Sequence, residues 1–426
     1  MTGGQAGFSA PYGDVGGGIL NAGQVAVVES SVRDNASSSS GGGIYNLGTV
    51  TLTSSSVGGN TTLSEGGGVT NHGVVTLMTS TVISNTATDT GGSDGGGIAN
   101  YGAVTVTNSA LISNTAYYGG GIFNVSFGTV RLSQSILRGN SGYIGGGIEN
   151  AGSVTLTSST VVNNNGVEGG GLHNFNMMTV TNSSIISNTA TNDGGGLANS
   201  ALVTLTNSLI QGNAAALPGS DGGGLSNFGT MTLSHSAVVS NTATSRGGGI
   251  ANRSGRLRVT NSTISGNVAT LGGALAVDAP CCSSVPPWVV IAYSTLSNNT
   301  AVQGGGLASD PGTPVVVLGT ILAQNTPSNC AGTLPTEGDG YNLDSGVSCG
   351  LTRTTDLTAT NPLLGPLTDN GGPTPTQALL PGSPAIDHGG SSAAGCPATD
   401  QRGVGRPQGA SCDMGAYERV PAPAER

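Results

Sequence analysis

Apolar and polar residues alternate along this chain in short bursts, as in Val104-Thr105-Val106-Thr107, Val154-Thr155-Leu156-Thr157 and Leu257-Arg258-Val259-Thr260. A period of two is that of a half-buried strand, and no segment carries helical spacing. A second burst follows an Asn-Ser or Ser-Ser step, as in Ala110-Leu111-Ile112-Ser113-Asn114 and Ser184-Ile185-Ile186-Ser187-Asn188. A third strand is predicted where a glycine triplet runs into an aliphatic residue, as in Gly145-Gly146-Gly147-Ile148-Glu149-Asn150. Three such strands, joined by Gly, Asn and Ser turns, fill a unit of about 25 residues.

The unit recurs. Triplets open at Gly16, Gly41, Gly66, Gly95, Gly119, Gly145, Gly169, Gly194, Gly222, Gly247 and Gly304, with a degenerate copy at Gly272-Gly273-Ala274. An Asn follows at Asn21, Asn46, Asn71, Asn100, Asn124, Asn150, Asn174, Asn199, Asn227 and Asn252, at spacings of 24 to 29 residues. One unit cannot bury its own apolar side, so units must stack. The predicted fold is all-β: a parallel β-helix of about twelve coils over 16–325, with the right-handed sense set by the crossover preference. Residues 1–15 form a lead-in, and 326–426 an irregular cap.

The Asn column has a physical role in such a stack. Each side-chain amide can donate to the carbonyl of the next, keeping the corner's polar groups satisfied. A second column runs through Asn35, Asn60, Asn85, Asn114, Asn140, Asn164, Asn188, Asn213, Asn241, Asn267, Asn299 and Asn325. The triplets are expected to supply positive φ and close backbone approach. No helix follows them, so they do not read as phosphate loops.

Composition narrows the partners. Only 8% of the 426 residues are charged, against about 25% in an ordinary domain, and the net charge is −10. All twelve basic residues are Arg. Neither nucleic acid nor an anionic membrane surface suits such a chain, since both need a basic patch. No apolar run is long enough for a membrane span. The start, Met1-Thr2-Gly3-Gly4, lacks the pattern of a secretory signal, which suggests a processed or truncated piece.

The six cysteines avoid the regular coils. Cys281 and Cys282 lie in an insertion, and Cys330, Cys349, Cys396 and Cys412 follow the last clear coil. Six cysteines allow fifteen pairings. Sequence proximity favours Cys330 with Cys349 and Cys396 with Cys412, an arrangement suited to an oxidising compartment. Beyond Asn325 the landmarks are Asn361-Pro362-Leu363-Leu364-Gly365-Pro366-Leu367, Asp369-Asn370-Gly371-Gly372-Pro373-Thr374, Pro381-Gly382-Ser383-Pro384-Ala385-Ile386-Asp387, Asp400-Gln401-Arg402-Gly403 and Asp413-Met414-Gly415-Ala416-Tyr417-Glu418. In this order they resemble the tail of choice-of-anchor Q domain proteins. The coils resemble the GG-aliphatic repeats of polymorphic outer membrane proteins. The resemblance implies an exported or cell-surface β-helix whose tail closes the C-terminal end of the solenoid. Arg402 and Arg406 beside Asp400 and Asp413 would serve such a cap as paired charges.

Candidate chemistry is sparse. Glu149 and His173 hold the same repeat position in adjacent coils and should point outward about 4.8 Å apart. They could form an acid–base pair, although exposed pairs are common and weak, which favours a solvated surface pair. Glu168, Asp193 and Asp221 precede three consecutive triplets; their mutual repulsion would be reversed by a bound Ca²⁺. Tyr45 and Phe123 share the position of Glu149, with Tyr117 and Tyr118 nearby, as a candidate sugar-binding strip. The sequence thus points to an extracellular or cell-surface structural or adhesive β-helix, able to assemble end to end with copies of itself and to meet glycans or surface proteins. A polysaccharide lyase or glycoside hydrolase is the alternative.

Overall fold

A computed structural model describes residues 14–89, 91–279, 288–332 and 340–421. They form a parallel β-solenoid of about twelve turns, divided in sequence into two compact units between Val203 and Thr204. Cys281, Cys282 and the lead-in before Asp14 lie outside the described residues.

In the first unit a typical coil has a three-residue strand, Ile148–Asn150, a five-residue strand, Ser153–Thr157, and a second three-residue strand, Thr160–Val162. Each pairs in parallel with its equivalent one coil on, Ile148 with Leu172, Ser153 with Met177 and Thr160 with Ser184. The inward positions hold stacks of aliphatic side chains, such as Ile44, Val69, Ile98, Ile122, Ile148, Leu172 and Leu197, all fully buried. Strand pairs such as Thr61–Thr62 with Thr86–Ala87 add a narrow fourth sheet that the apolar pattern does not announce. Two residues are too few to show alternation.

Three polar ladders hold the corners. Asn21, Asn46, Asn71, Asn100, Asn124, Asn150 and Asn174 each donate Nδ2 to Oδ1 of the Asn in the next coil at 2.7–2.9 Å. Asn35, Asn60, Asn85, Asn114, Asn140 and Asn164 do the same at 2.9–3.0 Å. The third ladder, unforeseen from the sequence, is serine: the N–H of Ser55, Ser80, Ser109, Ser135 and Ser159 donates to the next coil's hydroxyl at 2.9–3.2 Å. Those hydroxyls donate to the carbonyl two residues earlier in their own coil.

Each glycine of a triplet has its own reason. Gly169 sits at φ +61°, a Cβ on Gly170 would lie 2.4 Å from the Thr189 backbone, and one on Gly171 would come within 3.0 Å of the Asn188 amide. The triplet is therefore where one coil passes against both its neighbour and the second Asn ladder.

The second unit repeats this plan. Asn227 donates to Asn252 at 2.7 Å, and Asn213, Asn241, Asn267 and Asn299 run in series to Asn325 and on to Asn329 at 2.9–3.0 Å. Strand pairing continues past Asn325, with Cys330–Ala331 on Leu307 and Ala308, then Leu343–Asp344 on Ile321 and Leu322, then Leu357–Thr358. Cys330–Cys349 and Cys396–Cys412 are both disulfide-bonded.

The tail continues the end of the stack through Leu343–Asp344 and Leu357–Thr358, and beyond them it runs along the outer face of the third sheet. In the first unit most strands of that sheet bury only their central residue, as in Ala110–Ile112 and Thr160–Val162. In the second unit all three residues are buried in Ala237–Val239, Thr263–Ser265, Thr295–Ser297 and Ile321–Ala323. Short polar side chains on these strands are the docking points. Thr263 donates to Gln401 at 2.7 Å, Ser297 to Gln377, and the Ala416 N–H to Thr295 at 3.0 Å.

Buried charge organises the tail itself. The Arg406 side chain is fully buried, 3.3 Å from Glu418, and donates to the carbonyls of Asp413 and Gly415 at 2.6 Å. Arg402 pairs with Asp400 at 2.7 Å and lies 3.6 Å above the Tyr417 ring. Both arginines are therefore structural, with Glu418 rather than Asp413 as the carboxylate partner of Arg406.

Two stability outcomes follow. Asn150→Leu leaves the Asn124 amide and the Asn174 carbonyl without their ladder partners, and should destabilise by about 1–3 kcal/mol per stranded group. An unchanged urea midpoint would remove the ladder's energetic role. Glu418→Gln leaves Arg406 without its carboxylate, at about 3–5 kcal/mol; a thermal midpoint equal to the parent's would contradict the assignment.

Candidate functional site

On the outer face of the first sheet each coil presents three positions: the residue before the triplet, the middle of the strand, and the residue after the ladder Asn. In the first unit the leading column runs Ser40, Glu65, Asp94, Tyr118, Ile144 and Glu168, bridged in parallel register. The middle column runs Tyr45, Thr70, Ala99, Phe123, Glu149 and His173. The trailing column includes His72, Tyr101 and Phe175, whose N–H groups donate to the ladder Asn carbonyl of the preceding coil.

Aromatic rings pass between these columns from coil to coil. Tyr45 lies 5.4 Å from His72, and His72 stacks on Tyr101 at 4.6 Å with planes 17° apart. Tyr118 faces Phe123 at 6.2 Å, and Phe175 meets His173 edge-on at 4.3 Å. A second stack turns the corner, Tyr117 on Tyr143 at 4.7 Å, with Tyr117 edge-on to Tyr118. Taken one repeat position at a time the aromatics look scattered. Successive coils place theirs in different columns, and only the folded face joins them.

Glu149 and His173 are register partners, but the reading of a solvated pair does not hold. Glu149 is 6% exposed and His173 2%, and Oε2 of Glu149 and Nδ1 of His173 are buried without a hydrogen-bond partner. Burial, followed by the Asp94 carboxylate, pushes Glu149 up to about 8. Burial holds His173 down at about 4. Near neutral pH both are therefore uncharged, and Glu149 carries a proton that it can donate. His173 Nε2 lies 3.8 Å from Glu168, a polar contact rather than an ion pair while the imidazole is neutral.

Carboxyl groups form a coupled series on the same face. Glu65 and Asp94 are register neighbours, and the Tyr101 hydroxyl donates to Glu65. Burial, then repulsion from Glu65, raises Asp94 to about 7. Asp94 in turn raises Glu149. None of the three is an arginine's partner in the ion pairs of the described residues.

Glu168 and Asp221 of the candidate calcium column face different partners. Glu168 and Asp193 precede consecutive triplets in the first unit, and Glu168 faces His173. Asp221 belongs to the second unit, where it accepts the Arg246 N–H at 2.9 Å and pairs with Arg253 at 3.3 Å. Arg246 continues the network to Asp278 and, through two bonds of 3.1 Å, to Asp310. Among the described residues no group of three or more His, Cys, Asp or Glu side chains is placed to hold a metal ion. No helix among them is long and apolar enough to cross a membrane. Comparison of the chain with family models, with curated proteins and with solved structures returns no match.

The shifts fix how stability should vary with pH. Glu149 and Asp94 bind protons more tightly when folded, so their contribution is present at low pH and is lost as pH rises toward about 8 and about 7. His173, with its pKa lowered to about 4, acts in the opposite sense, adding stability as pH rises from about 4 to its unfolded value near 6.5. Between pH 6.5 and 8 the carboxyls act alone, and Glu149 should remove about 2 kcal/mol. Denaturant titrations at those two pH values should show the fall, and Glu149→Gln should flatten it. A fall of the same size in the variant would place its origin elsewhere.

Proposed function

We propose that this chain is an extracellular, cell-surface adhesive β-helix that binds glycan along the outer face of the first sheet between Tyr45 and Phe175. The observation that carries the reading is the Tyr45, His72 and Tyr101 ring series, at one ring per coil with a 4.6 Å stack. Aromatic faces give a sugar's apolar C–H face a rigid platform, while phenol, imidazole and carboxyl groups beside them meet its hydroxyls. The two disulfides suit an oxidising compartment, and the tail's resemblance to choice-of-anchor Q proteins supports a place at the cell surface. Three successive coils that each present one ring match the repeating nature of a polysaccharide.

One observation favours a second reading, cleavage of the bound chain. Glu149 is held protonated while Asp94, one of its perturbing neighbours, titrates lower. A protonated carboxyl can pass its proton to the leaving glycosidic oxygen while an ionised one takes a proton from attacking water. Reducing ends released from a bound glycan, and not released by Glu149→Gln, would establish it. A bound glycan that stays intact leaves the face adhesive.

Binding rests on the rings. Tyr101→Ala should lower the affinity for a recognised oligosaccharide about tenfold, the equivalent of about 1.4 kcal/mol. Calorimetric titration reads this directly, and affinity unchanged in both Tyr101→Ala and His72→Ala would overturn the placement.

A further inference from the structure

The face that carries the rings is charged in one sense. Lysine is absent from the chain, and the arginines of the first unit, Arg33, Arg131 and Arg138, lie on second-sheet or third-sheet strands. The first-sheet face instead holds Glu65, Asp94, Glu149 and Glu168. Glu65 and Asp94 stand one strand spacing apart, about 4.8 Å, with the Tyr101 hydroxyl reaching Glu65. Glu149 follows two coils on, buried, with Oε2 lacking any partner. An acidic glycan would meet repulsion from Glu65 and from ionised Asp94.

Resting on the glycan reading, we propose that the Glu65 and Asp94 pair, with buried Glu149 beyond it, is a subsite for a sugar ring bearing a protonated amine held by Glu65 and Asp94, so that the preferred ligand is an amino-sugar polymer with free amines. A metal ion would need six to eight oxygen ligands, and the described residues offer no three-ligand group. An alkylammonium has three donors and needs only a few acceptors. Glu65 and Asp94 supply these, and the His72 and Tyr101 stack beside them supplies the ring platform. Glu149, protonated and buried, adds a donor for a hydroxyl of the neighbouring sugar.

The charged and titratable groups around Asp94 set the pH response. Glu65, Glu149, Tyr101 and Tyr118 face it, and none is cationic. An ammonium bound there favours ionised Asp94, so affinity should rise as pH passes up through about 7, until the amine loses its own proton.

The test is calorimetric titration of the full chain with glucosamine oligomers, N-acetylglucosamine oligomers of equal length, and oligogalacturonate, all at pH 7 and low salt. The free amine should bind at least about tenfold tighter than its acetylated counterpart, with galacturonate weakest. Asp94→Asn should abolish that preference, bringing amine and acetylated oligomers to within about twofold of each other. Glu65→Gln is the second variant if the first proves unstable, and thermal melts report on folding. Equal binding of amine and acetylated oligomers would overturn the amine subsite while leaving a glycan face. No binding of any of the three would overturn both.

Discussion

The stack depends on one bond repeated along its length, a buried side-chain amide donating to the carbonyl of the same residue one coil away. Nδ2 to Oδ1 distances within each ladder vary by no more than about a tenth or two of an ångström, as in the 2.8 Å bond from Asn46 to Asn71 and the 2.9 Å bond from Asn174 to Asn199. A buried amide without a partner is costly, so each ladder position is restricted by its neighbours on both sides. Departures in length therefore fall between ladder residues. Asn140 and Asn164 are 24 residues apart, whereas Asn85 and Asn114 are 29 apart and Asn267 and Asn299 are 32 apart. The extra residues lie before Gly95 and between Val277 and Trp288.

A scaffold fixed at its corners leaves its outward positions free. The two units use that freedom differently. In the first, outward positions of the first sheet carry rings and carboxyls. In the second, outward positions of the third sheet carry Thr263, Thr295 and Ser297, short polar groups that receive the tail. On the second unit's first-sheet face Arg246 and Arg253 pair with Asp221, Asp278 and Asp310. One coil plan thus yields an open face, a docking face and a self-paired face, and the difference lies wholly in residues that contribute little to the core.

The fold was legible because its determinants repeat. Triplet, ladder Asn and alternating strand each occur at a fixed offset, so a stack could be argued from Gly145 to Asn164 alone. The serine ladder escaped because Ser55 or Ser109 resembles any turn serine until coils are superposed. The aromatic face escaped for a related reason: Tyr45 is in the middle column and His72 and Tyr101 are in the trailing one. Burial of Glu149 and His173 was invisible because an outward position in one coil is roofed by side chains such as Phe175 and Tyr118 from other positions. Tail docking was hidden because its apolar anchors, Leu379, Ala385 and Met414, are isolated residues without strand or helix spacing, and Gln377, Gln401 and Thr399 meet the coils through hydrogen bonds.

Stacking also explains why ordinary carboxyls behave unusually on this face. In an isolated strand Glu65 and Asp94 would each be solvated and ionised. In parallel register at the spacing of a sheet, each lies beside the other, and the rings around them exclude water. For Asp94 both effects favour the neutral acid, and burial together with Asp94 acts likewise on Glu149. A charge that the chain itself does not neutralise is then held at a fixed position beside an apolar platform. This is an arrangement that discriminates between ligands by charge as well as by shape. The same register that satisfies the amides inside the coil therefore leaves the carboxyls outside it unsatisfied, and it is this contrast that marks the first unit's face as a place for a ligand.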